Sequence, residues 1–166
     1  MKSDELTQKL LSLEKAKDRG KLSHLRRWWS PTTRHYAYPV IAGLAGGQAI
    51  DNSPICTVAA LFAEHPQHSD KSKNFGSTCR AIAGKNRDTF ETHFRRLLAS
   101  DDLENDLAPT LQRIMRRAKK EGAAVNYTQL HKDLNKWRFA SEDIKTNWAK
   151  EYWSVPDESQ LEIPDA

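Results

Sequence analysis

Arg113, Arg116, Arg117 and Lys120 recur at i, i+3, i+4 and i+7, a spacing that draws one stripe of positive charge along a helix. Like charges so placed repel by roughly a few tenths of a kcal/mol per pair. A helix that keeps them generally sets something negative against them, and an ordinary solvated face is the plain alternative. Guanidinium suits a phosphate backbone, being always charged, planar and able to donate two parallel bonds. Between Gln112 and Arg138 eight basic residues face only Glu121 and Asp133, a local charge of +6 in a chain of net charge +4. Asymmetry of this kind points to an anionic partner more than the total does. The candidate nucleic-acid-binding set is Arg26, Arg27, Arg80, Arg95, Arg96, Arg113, Arg116, Arg117, Lys119, Lys120, Lys136 and Arg138. Such contacts position a nucleic acid without reading its sequence. Trp28, Trp29 and Trp137 adjoin basic residues and are able to stack on bases, although core or subunit contact is the commoner use.

Other chemistry finds less support. Asp101, Asp102, Glu104 and Asp106 form a dense carboxylate cluster, as metal-dependent nucleases require. It falls where a helix should begin, so capping is the favoured reading, and it lacks the glycine of an EF-hand. His65 and His68 have metal-ligand spacing with only Asp70 nearby, and they read as loop histidines without a role. Gly76 and Gly84-Lys85 are too widely spaced for a phosphate loop, and Asn86 stands where Ser or Thr is required. Cys56 and Cys79 are too few and too distant for a zinc site or disulfide framework and are expected as buried thiols. Neither a catalytic residue, a metal site nor a cofactor is expected.

These residues need helices to hold them. Nothing alternates with period two, so the expected fold is all-α, a compact single-domain bundle of about seven to nine helices over residues 1–156. An acidic tail, 157–166, is expected to be disordered. The first helix is expected over 3–19, capped by Ser3 and stopped by Gly20. A second spans about 21–29, and a short one fits near Tyr36–Leu44. Ser53-Pro54 should open a nearly all-apolar central helix running to about Glu64. Residues 65–73 read as an exposed, mobile loop. Helices follow from Asn74 to Ala83 and from an Asp88/Glu91 capping box. In the helix from Asp101 to Lys120, Pro109 marks either a kink or a restart after Asp106, and Gly122 ends it. Asn126 caps the next helix, with Gln129 closing a capping box and Val125 and Leu130 as a hydrophobic staple. Ser141 restarts the pattern, giving two apolar stripes: Leu130, Leu134, Trp137, then Ile144, Trp148, Tyr152. No apolar run approaches the ~20 residues of a membrane span, and MKSDELTQKLL is unlike a secretory signal. A cytoplasmic protein without membrane partners is expected.

The pairing of NYTQLHKDLNKW with NWAKEYW, the stretch FRRLLASDDLENDLAPTLQRIMRRAKKEG and the early LRRWWSP together resemble the CasB family, the small subunit of type I-E CRISPR surveillance complexes (Cascade). The likeness is strongest over residues 75–153 and extends to 22–45. It implies an all-helical, non-catalytic protein acting in antiviral defence within a ribonucleoprotein, beside the backbone and large subunits. Two copies would lie head to tail, touching the guide RNA–target DNA region and the displaced strand and helping to hold the opened duplex (R-loop). Guide pairing supplies sequence specificity, and protein contacts to the backbones tip a nearly balanced strand exchange. Arg26 and Arg27 match the family's early Arg-Arg pair, and Arg80 an arginine of its short central helix. Arg113 matches one member of a doublet whose partner here is Gln112. The rival reading is a free-standing helical DNA-binding regulator with Gln112–Lys120 as recognition helix, which needs a tight turn just upstream.

Overall fold

The computed structural model describes residues 1–85 and 87–154. The acidic segment 157–166 lies outside the described residues. Eight α-helices carry the described chain: α1 (Ser3–Lys15), α2 (Arg19–Arg26), α3 (Tyr38–Ala45), α4 (Ser53–Glu64), α5 (Phe75–Ala83), α6 (Arg87–Leu98), α7 (Ala108–Glu121) and α8 (Tyr127–Tyr152). Three 3-10 turns join the early helices, and a π turn, Leu103–Leu107, precedes α7. Among the described residues there is no strand, only an isolated parallel bridge between His68 and Val125.

The core is built around α4, whose residues from Ile55 to Ala63 are all buried. Small side chains (Ala59, Ala60, Ala63) let neighbours close in on every side, and α1, α2, α3, α7 and α8 all touch it. Asn52, rather than Ser53, caps this helix by accepting from Ile55 N–H at 3.0 Å, which leaves Pro54 in the first turn where its missing N–H costs nothing. Cys56 and Cys79 are buried thiols, and burial holds Cys56 up at about 11.

Several boundaries differ from the sequence expectation for identifiable reasons. Ser3 lies inside α1 rather than capping it, because its hydroxyl is taken by His131 Nδ1 at 2.7 Å. The helix ends at Lys15, and Lys17 takes the left-handed turn (φ 53°) expected near Gly20. Asp18 then caps α2, so Gly20 sits within a helix. Asp88 lies within α6, and Glu91 makes no reciprocal cap, because its carboxylate accepts from the Trp153 indole N–H at 3.0 Å. Pro109 marks a restart: Asp102 accepts from Asn105 N–H at 2.8 Å, the π turn follows, and Pro109 occupies the first turn of α7. Gly122 closes that helix in the left-handed region at φ 67°. Asn126 caps α8 as expected, but Gln129 donates forward to Asp133 Oδ1 at 2.9 Å instead of back to the cap.

Residues 65–73 are exposed at Gln67, Asp70, Lys71 and Lys73, as the composition suggests, but the segment is tied to the rest of the fold. Val125 N–H donates to Gln67 carbonyl (3.0 Å) and Ser69 N–H to Val125 carbonyl (3.1 Å), clamping the segment to the α7–α8 connection. His65 is buried, with Nε2 at 2.6 Å from the Ala123 carbonyl. His68 accepts from Tyr127 N–H at 3.1 Å and bonds Asp70 at 2.8 Å. Both imidazoles are therefore structural. No group of three or more His, Cys, Asp or Glu residues suited to a metal occurs among the described residues.

Candidate nucleic-acid interface

Helices α5, α6 and α7 meet along a run of three adjoining clefts, and positive charge collects there. The first, about 420 Å³, is lined by Arg80, Arg87 and Glu151 among others. It shares Ala81 and Gly84 with the second, about 470 Å³, where Lys85, Arg117, Lys120 and Glu121 stand. Arg117 also lines the third, about 260 Å³, with His93, Arg96, Thr110, Arg113 and Ile114. Arg80, Lys85, Arg87, Arg96, Arg113, Arg117 and Lys120 thus follow one track, against Glu121 and Glu151, and Glu151 is already paired with Lys73 at 3.2 Å. None of these seven cations pairs with a carboxylate among the described residues.

The local sequence explains the placement. On α7 the buried residues Leu111, Ile114, Met115 and Ala118 bind the helix to the core, so Arg113, Arg117 and Lys120 emerge on the flank facing α6. On α6, Phe90, Phe94 and Leu97 do the same and turn His93 and Arg96 toward α7. Arg113 is steadied by Thr110, whose Oγ1 accepts from Nη2 at 3.2 Å and donates to the Asp106 carbonyl at 2.9 Å. Partial burial, then the guanidiniums of Arg117, Arg96 and Arg113, hold His93 below the usual histidine range. At one end of the track the Arg80 guanidinium donates to Ser154 Oγ.

Seven of the twelve candidate residues lie elsewhere. Arg116 sits about 100° around α7 from Arg117 and reaches toward Glu64 at 3.9 Å. Lys119 is exposed a further step around the helix on that side. Arg26 donates to the Ala63 carbonyl at 2.9 Å, satisfying the carboxyl end of α4. Arg27 lies over the Tyr36 ring at 4.4 Å. Arg95 contacts Glu91 at 3.4 Å and the Trp153 ring at 5.2 Å. Lys136 is exposed on α8, and Arg138 borders a recess that holds Asp51, Asp101, Asp102 and Glu104.

Of the three candidate tryptophans, Trp28 and Trp137 are buried and closed to bases, and Trp29 is half-buried. Trp28 is buried with Arg34 over its ring at 4.7 Å, and Trp29 packs edge-on against it at 5.1 Å. Trp137 is buried, donating to the Asp101 carbonyl at 2.7 Å. The aromatic most open to solvent is Phe139, 86% exposed beside the break in α8. Sequence reasoning also passed over Lys85, Arg87 and His93. His93 carried a usable signal, since it precedes Arg96 by three residues and so shares its helix face.

The α6–α7 connection, residues 99–107, contains the π turn and is too long for the tight turn of a helix-turn-helix. Residues 12–153 match the family of CRISPR-associated protein Cse2. The chain belongs to the Cse2 family. Cse2 is the small subunit of type I-E Cascade, the same family that the sequence resembles under the name CasB. Its all-helical fold is that of a Cse2-family CRISPR-associated protein from Thermus thermophilus, with TM-score 0.75 at 20% identity, covering 93% of this chain and 100% of that one. Among curated proteins none matches. A Cse2-family chain is a structural member of a CRISPR Cascade complex with other subunits, which sets the free-standing regulator aside. No helix among the described residues is long and apolar enough to cross a membrane.

Proposed function

We propose that this chain is a non-catalytic, sequence-independent clamp on nucleic-acid backbones within Cascade, with the α5–α6–α7 track as its contact surface. The track lies against the guide RNA–target DNA region and the displaced strand and helps hold the duplex open. Two copies act head to tail beside the backbone and large subunits, in the cytoplasm. The observation that carries this reading is the convergence of Arg96, Arg113 and Arg117 on one cleft with no carboxylate lining it. Repulsion among three guanidiniums is tolerated most readily where an anion normally relieves it, and a phosphate is the anion that guanidinium geometry fits best. Arg80, Lys85, Arg87 and Lys120 extend the same field along the molecule, as a chain of successive phosphates requires.

Replacing Arg96, Arg113 and Arg117 together by Ala tests it. Binding to oligonucleotides of unrelated sequence should weaken equally. The slope of log K against log salt should flatten by about one for each phosphate no longer neutralised. An unchanged slope would remove the track from the functional surface. Arg116→Ala serves as the comparison, since Glu64 already engages that side chain and its removal should change the slope least.

A further inference from the structure

His93 lies midway along α6 in the third cleft. Arg96 reaches this cleft from the same helix, and Thr110, Arg113 and Arg117 reach it from α7. Phe90, one turn earlier, tilts against the imidazole at 5.8 Å between centroids. No carboxylate lines the cleft, so the charged groups facing the ring are all guanidiniums. An uncharged imidazole adds nothing to their repulsion, whereas an imidazolium would be a fourth cation in the same space. One phosphate reverses that balance, since its negative charge lies close to every donor at once. The neutral ring offers one N–H, the protonated ring two.

We propose that His93 is a ligand for one nucleic-acid phosphate seated between Arg96, Arg113 and Arg117, and that its ring takes a proton from solvent as that phosphate arrives. This role rests on the track being the nucleic-acid surface. No covalent bond forms or breaks in the nucleic acid: one solvent proton joins the unprotonated ring nitrogen on binding and returns to solvent on release. The phosphate diester stays singly charged throughout, so the proton belongs to the imidazole. Because the phosphate favours the charged ring, His93 has a higher pKa bound than free. Affinity therefore rises as pH falls between those two values, and it is level above and below them.

The experiment uses the full chain and a fluorescein-labelled oligonucleotide of arbitrary sequence, titrated by anisotropy from about pH 5.5 to 8 at fixed ionic strength. Calorimetry in buffers of different protonation enthalpy counts the protons taken up. The wild-type chain should bind more tightly as pH falls, by up to about tenfold per unit within the window, with net proton uptake. His93→Gln should bind with a flatter profile and lose that uptake, while His24, His35, His65, His68 and His131 remain as an internal background. His93→Lys, which keeps its charge, should bind at pH 8 more tightly than the wild type. A Gln variant with the wild-type pH slope and proton count would overturn the role of His93, and so would a Lys variant no tighter at pH 8. Either result leaves the track standing if the Arg96/Arg113/Arg117 variant still loses affinity. If that triple variant binds as the wild type does, the track falls and His93 with it.

Discussion

An ideal Cβ placed on Gly76 would stand 2.0 Å from the Trp148 carbonyl oxygen and 2.7 Å from its carbon, both backbone atoms. Gly76 therefore serves close packing of α5 on α8, not the phosphate loop its neighbourhood faintly suggests. Gly76→Ala must push the two helices apart, and the expected cost is about 3 kcal/mol, at the upper end of overpacking. A urea midpoint unchanged from the wild type would contradict this. Similar committed contacts separate the arginines. Arg26 is engaged by a carbonyl and Arg116 by a carboxylate, while Arg96 and Arg117 share a cleft with Arg113 and His93 that no carboxylate lines.

At the scale of elements, α1 is pinned to α8 through polar pairs inside an apolar contact: Ser3 with His131 and Thr7 with Thr128, each at 2.7 Å. Burial, then the N-terminal ammonium, pushes His131 down to about 4, so the folded chain keeps it neutral where the unfolded chain protonates. Stability linked to His131 is thus complete above about pH 6.5 and is lost as pH falls toward 4, by about 3 kcal/mol. His131→Gln, which keeps a polar amide facing Ser3, should remove that slope from denaturant midpoints measured across the window. A slope equal to the wild type's would show that another group is responsible. Asp133 acts with opposite sign: burial raises its carboxyl, against the Trp148 and Gln129 hydrogen bonds. Its contribution is greatest in acid and declines as pH rises from the ordinary carboxylate range through its raised value. Helix α8 itself breaks at Ala140 (φ −135°), just before Ser141. The break lets both apolar stripes face inward, so that Trp137 and Trp148 meet at 5.6 Å and Tyr152 stacks on Phe94 at 4.0 Å.

For the whole molecule, membership of Cascade predicts company. Purified from cells that express its partner subunits, the chain should co-elute with them and with guide RNA. The Arg96/Arg113/Arg117 variant should still assemble with the proteins while holding opened duplex less well in a strand-displacement assay. Loss of assembly would instead make the track a protein contact. Much of this architecture was legible beforehand. The apolar run of α4 and the two stripes of α8 were plain, as were the Asn126 cap and the stop at Gly122, because i, i+3, i+4 spacing and capping act over one or two turns. The clamped 65–73 segment was not legible, since the partners of His65 and His68 lie more than fifty residues away at Ala123 and Tyr127.

The candidate site divides along the same line. Local chemistry along the chain was enough to establish an all-helical protein and an excess of cations between Gln112 and Arg138. Which cations share a surface depended on how α5, α6 and α7 pack. Helix spacing sets only the direction of a side chain around its own axis, whereas a joint phosphate site requires atoms from different helices to converge. That convergence joined Arg80, Lys85 and Arg87 to Arg117, placed His93 among guanidiniums, left Arg26 and Arg95 with partners of their own, and set Arg138 beside a different recess.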